Sequence, residues 1–585
     1  MYLERIESPD DVRALPSSAL PGLCDEIRRA VISSSAAVGG HLGSNLAVVE
    51  LTVALHRVFK SPRDKIVFDV SHQTYAHKML TGRARAYTDP ERYGRVSGFA
   101  SPNESKHDLF SMGHTSTSVS LACGLAAARD LAGEKYDVVA VIGDGSLSGG
   151  LAFEGLDNAA ELGSGLIVVV NDNEWSIAPN HGGIYRNLAE LRASHGACER
   201  NVFRALGLDY RYLEDGHDVA ALEAALSELR GTDHPVVLHV HTRKGHGYAP
   251  AEGDPELWHH AAPFDVATGA QGGAGGEDYA SITGAFLSER MERDPRVVAV
   301  SAATPYIMGF TPELRERAGR RFVDVGIAEE HAVTCLAGLA RGGARPVLGI
   351  YGTFLQRAYD ELWHDLCLNA SPATILVFGS SAYGTTDATH LSFFDIPLLA
   401  DMPGLTYLAP TCREEYLDML SWSLAWEHGP VAVRVPAAGV VSRPGFERAA
   451  SYERGWEVAR AGADVAVLAL GDLFPLGEEI ADELAGRGVA RATLVNPRRA
   501  TAPEADLVAG LARDHRLVVT LEDGVVDGGF GERCARILAR EGSVRVRCYG
   551  LPCAFPDRYD PASLLESCGM TVEGVCDDVE RALGR

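Results

Sequence analysis

Residues 136–175, YDVVAVIGDGSLSGGLAFEGLDNAAELGSGLIVVVNDNEW, constrain the fold more than any other stretch. Val138–Ile142 and Leu166–Val170 are short uninterrupted apolar runs bounded by Gly and polar residues, the pattern of strands buried on both faces. Gly149–Leu162 between them has the length and periodicity of a helix. Strand, helix and strand make a crossover unit, which places the two strands parallel in one sheet. The same alternation runs through nearly the whole chain, so the expected fold class is α/β, with doubly wound domains built on mostly parallel sheets. With 585 residues, of which 46% are hydrophobic, the chain can bury several cores, and three or four domains are expected.

The Gly-rich and small-residue stretch DVATGAQGGAGGEDYASITG cannot build a core and reads as a linker over 265–284. It separates a first domain, 1–264, from a second, 285–440, with strand-like runs Val297–Val300, Val347–Ile350 and Ile375–Phe378 and a helix over Glu329–Arg341. After a further shift near Gly439–Gly462, the runs Val465–Leu470, Ala492–Val495 and Leu517–Leu521 predict a third domain, 455–585.

Charge excludes some partners. A net charge of −25 repels phosphate backbones and anionic lipid surfaces, so neither nucleic acid nor a membrane is an expected partner. No apolar run approaches the ~20 residues that a bilayer span requires. The start, MYLERIESPDDV, lacks the basic and apolar regions of a signal peptide, and the 11 cysteines show no CxxC pair. A reducing, cytoplasmic setting is expected.

Asp144 falls just past the carboxyl end of the first strand of the crossover and Asn173 just past the second, where doubly wound sheets bind ligands. A carboxylate and an amide oxygen there can share one hard cation, leaving positions for diphosphate oxygens and water, which suits magnesium. Gly143 and Gly145 let the backbone approach the anion. Read alone, GDG is an ordinary turn. Followed at this distance by Asn, with strand, helix and strand between, it resembles the fingerprint of thiamin diphosphate enzymes.

His41 in GGHLGSNL, His72 in VSHQTY and His114 in SMGHTSTS each sit in a Gly- or Ser-rich turn N-terminal to this segment. Together they suggest a site in which imidazoles handle phosphate and developing oxyanions. Zinc is the rival reading, and their wide separations match no helical ligand spacing. In VDVGIAEEHAVTCLAGLARGG, Glu329 and Glu330 open a helix, where acids complement the dipole. Glu329 also fits the buried carboxyl that thiamin needs against its aminopyrimidine. Phe354, in IYGTFLQRAYDE with Tyr351 and Arg357, is either a core residue or a ring stacked on that pyrimidine.

With these residues in place, the chain closely resembles the 1-deoxy-D-xylulose 5-phosphate synthase family of the transketolase superfamily. The likeness is carried in order by HLGSNLAVVELTVALH, FDVSHQTYAHKMLTGR, SMGHTSTSVS, GDGSLSGGLAFEGLDNA, VNDNEWSIAPN, KGHGYAPAEGDP, VGIAEEHAVT, YGTFLQRAYDELWHD and VTLEDGVVDGGFGER. The resemblance implies that Asp144, Asn173 and the carbonyl of Trp175 hold Mg2+. It implies that His72, Gly113, His114, Thr115, Gly145, Ser146, Tyr248 and Phe354 line thiamin diphosphate, which Glu329 activates. His41 and His259 match positions acting on the pyruvate-derived group, with the His259–His260 register open. Asp387 and His390 match an acid and a histidine beside the acceptor aldehyde, and Tyr351 and Arg357 contact substrate. The implied reaction decarboxylates pyruvate and joins the two-carbon unit to an aldehyde, in a homodimer.

The departures are local. Where the family reads DRAGIVGADGQTH, this chain has GSSAYGTTDATH, placing Gly379 and Ser380 at an expected Asp and Arg. Where it reads VRYPRG, this chain has VRVPAAG, placing Ala437 at a second Arg. Both arginines are expected to grip the acceptor phosphate, and losing them weakens that grip. The expected function is therefore a thiamin diphosphate-dependent carboligase with an altered, unphosphorylated acceptor. An authentic synthase using glyceraldehyde 3-phosphate and a catalytically silent paralogue are the alternatives.

Overall fold

Side chains alternate across a strand, so a sheet covered on both faces must divide each apolar run between two cores. The computed structural model, which describes residues 1–272, 276–542 and 544–584, shows this division. The first sheet is wholly parallel and runs β1 (Lys65–Phe68), β2 (Val138–Gly143), β3 (Leu166–Asp172), β5 (Pro235–His241), β4 (Asp209–Leu213) in spatial order. Val139, Val141, Ile167 and Val169 face a core shared with Leu23, Ile27, Leu51 and Leu55. Val138, Ala140, Ile142, Val168 and Val170 face the other, with Val119, Leu156 and Phe203.

The second sheet is also parallel and runs β10 (Thr406–Leu408), β11 (Val431–Arg434), β9 (Thr374–Phe378), β8 (Arg345–Tyr351), β6 (Val297–Ser301), β7 (Phe322–Asp324). The third runs β12 (Glu457–Arg460), β14 (Thr493–Asn496), β13 (Asp464–Ala469), β15 (His515–Val525), β16 (Arg545–Leu551), with β12 antiparallel at its edge. Every strand-like run read from the sequence coincides with one of these strands, Val465–Leu470 and Ala492–Val495 each overrunning by one residue, and the helix Glu329–Arg341 has the expected bounds. The chain forms two compact units, one of residues 1–272 with 325–328 and the other of 276–324 with 329–584, so the second and third sheets share a unit. Among the described residues, no helix is long and apolar enough to cross a membrane.

The linker expected over 265–284 is corrected at both ends, and its residues 273–275 lie outside the described residues. Residues 265–272 turn back on themselves: the Asp265 N–H donates to Ala270, and the Gly272 N–H donates to Pro263. At the far end Asp278 caps the helix Tyr279–Arg293 by accepting from the Ser281 N–H at 2.7 Å. Gly284, which suggests flexibility in the sequence, is a packing residue. A Cβ there would lie 2.8 Å from the Gly309 carbonyl oxygen.

In the second unit one guanidinium ties the two sheets. Arg434, at the end of β11, is buried; its Nε donates to Asp395 at 2.9 Å and its Nη1 to Asp523 of β15. Tyr407 donates to Asp395 and Ser381 to Asp523. Three buried charges are affordable in such a place only as a hydrogen-bonded set. Arg434→Leu therefore strands two carboxylates and is expected to destabilise this unit by about 3–5 kcal/mol in chemical denaturation; a loss of less than about 1 kcal/mol would show that the set is not structural.

Candidate active site

Parallel strands end at a common edge, and the residues just beyond β2 and β3 meet there in the first unit. Asp144 is 1% exposed. Its Oδ1 accepts from the Asn173 N–H at 3.4 Å and its Oδ2 from Asn180 Nδ2 at 2.6 Å. Burial, then the Asp172 charge, raises its carboxyl well above the usual range, against the opposing hydrogen bonds of Asn180 and Asn173 and the charge of Arg192. Asn173 Oδ1 accepts from the Trp175 N–H at 3.1 Å, so the expected oxygens belong to one tight turn. At Gly145 a Cβ would fall 2.8 Å from Ser176 Cβ, so only glycine fits. Among the described residues no three His, Cys, Asp or Glu side chains are grouped to hold a metal. A cation here would be held by Asp144, amide and carbonyl oxygens and its own ligands.

This edge is strained in a way the sequence does not announce. Val70, Ser71, Ser116 and Glu174 all have φ between 57° and 71°, a left-handed conformation that costs each of them energy. Asp69, fully buried at the end of β1, over-determines two of the turns by accepting from the Ser116 N–H at 2.8 Å and the Ser118 N–H at 2.9 Å. It thereby braces the loop holding Gly113, His114 and Thr115.

Four imidazoles cluster nearby. The His41 ring lies 5.1 Å from His72, 5.6 Å from His259 and 4.7 Å from His260, and His72 lies 5.3 Å from His259. His259, not His260, touches both other rings, and His259 Nδ1 is buried without a hydrogen bond. Burial, then the Lys244 charge, drives His259 well below the usual imidazole range, so it is neutral at pH 7. Asn45 fixes the cluster: its Nδ2 donates to the carbonyls of His41 (2.6 Å) and His72 (2.8 Å). The Tyr248 ring packs edge-on against Trp258, and its hydroxyl donates to the Val266 carbonyl.

The second unit holds the remaining candidates. Glu329, at the start of its helix, is 4% exposed, and its Oε2 has no hydrogen bond. Arg357 Nη1 stands 3.9 Å from that oxygen. Burial raises the carboxyl from 4.5 to about 6, against the opposing pull of Arg357. Phe354 lies 5.8 Å from the Tyr351 ring and 5.7 Å from His390, all edge-on. Thr389 Oγ1 bonds both Asp387 Oδ1 (2.6 Å) and His390 Nδ1 (2.8 Å), so Asp387 orients the imidazole through Thr389. Burial pushes His390 down to about 4.

Comparison with known proteins decides the family. A family model described as "1-deoxy-D-xylulose-5-phosphate synthase" matches residues 3–199 and 193–242, the transketolase pyrimidine-binding domain matches 277–440 and the transketolase C-terminal domain 455–575. The 1-deoxy-D-xylulose-5-phosphate synthase of Symbiobacterium thermophilum is 41% identical, the match covering 100% of this chain and 95% of that protein. That of Pelotomaculum thermopropionicum is 41% identical over 98% and 96%. The chain belongs to the 1-deoxy-D-xylulose 5-phosphate synthase family. A solved transketolase from Leishmania mexicana covers 96% of this chain and 97% of its own, at 18% identity and a TM-score of 0.44.

Against this family, the two departing positions differ from each other in the structure. Ser380 is fully buried, and its hydroxyl lies so close to Gly352 that a Cβ on that glycine would come within 2.2 Å of it. Ala437 is half-buried, and its N–H donates to Asp472 at 2.9 Å. Of the residues the sequence reading passed over, Asn45, Asp69 and Asn180 act by hydrogen bonding between turns. Lys244 is buried with Nζ on the Ser176 carbonyl, and burial lowers it to about 7. Its signal was its place in KGHGYAPAEGDP, a stretch already quoted for the family likeness.

Two substitutions test these positions. Glu329→Gln keeps the shape and removes the ionisable group, so turnover should vanish while cofactor affinity stays within about tenfold. Because the folded pKa of Glu329 is raised from 4.5 to about 6, its stabilisation is complete below pH 4.5 and lost as pH rises through 6. The melting temperature of Glu329→Gln should thus gain on the parent between pH 4.5 and 7; a constant difference would mean that Glu329 titrates normally. Asp144→Ala should abolish magnesium-dependent cofactor binding, and affinity indifferent to both mutation and chelator would move the metal site elsewhere.

Proposed function

We propose that the protein is a thiamin diphosphate-dependent synthase that releases carbon dioxide from pyruvate and joins the two-carbon remainder to D-glyceraldehyde 3-phosphate, giving 1-deoxy-D-xylulose 5-phosphate. The observation that carries this reading is Glu329, a buried carboxyl whose Oε2 accepts no hydrogen bond and which burial raises to about 6 against the charge of Arg357. The residues present fit the group. Asp144, Asn173 and the Trp175 carbonyl would hold Mg2+, and Gly145, where a Cβ would not fit, would let the backbone approach a diphosphate closely. When bound, thiamin diphosphate supplies a carbon nucleophile and an electron sink for the departing carboxylate.

The chain's own groups do the rest. Glu329 Oε2 would exchange a proton with the aminopyrimidine nitrogen, which its raised pKa suits at neutral pH. The neutral His259, with His41 and His72, would donate hydrogen bonds to oxygen as negative charge develops on it. His390, neutral and oriented by Asp387 through Thr389, would place a proton on the acceptor's aldehyde oxygen. Arg357, already beside Glu329, would contribute positive charge toward the acidic substrates.

The serine at 380 and the alanine at 437 favour a second reading, an unphosphorylated acceptor. The test is incubation with thiamin diphosphate, Mg2+ and pyruvate against D-glyceraldehyde 3-phosphate and D-glyceraldehyde, with products read by mass and kcat/KM measured for each. The proposal expects 1-deoxy-D-xylulose 5-phosphate with the phosphorylated acceptor preferred. A preference for the neutral aldehyde would install the second reading, and no carbon dioxide release with either would overturn both.

A further inference from the structure

The turn after β2 does more than present Asp144. Asp144–Ser148 is a short 3-10 helix, and its last residue reaches the loop 325–328, which belongs to the same compact unit. The Ser148 hydroxyl accepts the Ile327 N–H at 3.0 Å. Its own proton is shared between two carbonyl oxygens, that of Gly145 at 3.0 Å and that of Ile327 at 3.2 Å. One side chain therefore holds both the N–H and the C=O of a residue 179 positions further along the chain.

The surroundings are built for this contact. Gly326 has a φ of 75°, and a Cβ there would fall 2.9 Å from the His181 carbonyl oxygen and 3.2 Å from Ser148 Oγ, so only glycine lets the loop come this close. The Ala328 N–H closes back on the Gly326 carbonyl at 2.9 Å. The turn itself is braced from behind. Tyr185 donates its hydroxyl proton to the Gly145 carbonyl at 3.1 Å, and Ser116 Oγ donates to the Ser146 carbonyl at 2.8 Å. Ser148 is thus a fixed point, and the Ile327 peptide is what it fixes.

Glu329 follows two residues after Ile327 and is the first residue of its helix. The residues just ahead of a helix set the angle at which the chain enters it. We propose that Ser148 is a positioning residue for Glu329: by clamping the Ile327 peptide, its hydroxyl fixes where that helix begins and hence where the Glu329 carboxyl is presented. The inference rests on the role proposed above for Glu329 toward the aminopyrimidine. Ser148 acts through Ile327 and not by touching the reacting atoms, and it joins the turn proposed to approach the diphosphate to the acid proposed to serve the other end of the cofactor. A displacement of about 1 Å at such an acid is enough to cost a large factor in rate.

The test is Ser148→Ala in the full-length protein, with Gly326→Ala as a second variant that forces the loop off Ser148 from the other side. In the cofactor-free proteins, amide hydrogen–deuterium exchange read by mass spectrometry should quicken at least about tenfold over 325–330 and keep the parent rate in β2 and β3. Titration with thiamin diphosphate in saturating Mg2+ should give a Kd within about threefold of the parent. At saturating cofactor, exchange of the thiazolium C2 proton for deuterium, followed by NMR after acid quenching, should slow about tenfold or more. Glu329→Gln, run alongside, separates this inference from the reading beneath it: C2 exchange at the parent rate in that variant would overturn the role of Glu329 itself. If C2 exchange is lost in Glu329→Gln yet unslowed in Ser148→Ala and Gly326→Ala, or if amide exchange over 325–330 is unaltered, the inference about Ser148 is wrong. Cofactor affinity and melting temperature falling together with C2 exchange would likewise overturn it, since Ser148 would then merely hold the turn.

Discussion

The carboxyl edges of the parallel sheets gather buried charge, and the rest of the molecule is arranged around making that charge tolerable. Asp144 follows β2, Asp69 follows β1, Arg434 closes β11 and Asp523 lies within β15. Each is almost fully buried. A charge in such a place costs several kcal/mol unless hydrogen bonds or a counter-charge offset it. At Asp69 two backbone N–H groups do so, and at Arg434 two carboxylates. At Asp144 an amide and one long N–H bond fall short, and at Glu329 nothing bonds Oε2. Asp144 and Glu329 are the two acids that the proposed function gives to the metal and the cofactor.

The same logic governs the imidazoles. His259 and His390 are held neutral by burial, and neutrality lets one ring nitrogen donate while the other accepts. Asn45 and Thr389 then fix ring position without adding charge. Strain at Val70, Ser71, Ser116 and Glu174 belongs to this scheme. The turns that bear His72, His114 and Asn173 are held by hydrogen bonds in conformations that those residues would not choose.

Much of this was legible in the sequence because period and spacing are local. The uninterrupted runs at 138–142 and 166–170 require parallel strands, and that requirement puts Asp144 and Asn173 at one edge. The helix at Glu329 announced itself by its apolar face. What escaped was non-local. Asn45, Asp69 and Asn180 look like loop residues until the turns that they join are brought together. Gly284 read as a flexible element because nothing in the sequence reveals the Gly309 carbonyl against it. The choice between His259 and His260 needed the rings of His41 and His72 as a reference. Ser380 and Ala437 looked equivalent as lost arginines, yet the first is fully buried and the second half-buried. The altered acceptor read from them remains the second reading, since relatives at 41% identity over nearly the whole chain are 1-deoxy-D-xylulose-5-phosphate synthases.

The central claim is that the unmet carboxyls mark where the cofactor and its metal sit. Crystals grown with thiamin diphosphate and Mn2+ in place of Mg2+, with diffraction measured at the manganese absorption edge, test it most directly. The account expects one anomalous peak per chain within bonding distance of Asp144, Asn173 and the Trp175 carbonyl, with the cofactor's pyrimidine hydrogen-bonded to Glu329. A peak elsewhere, or a pyrimidine bound away from Glu329, would contradict it.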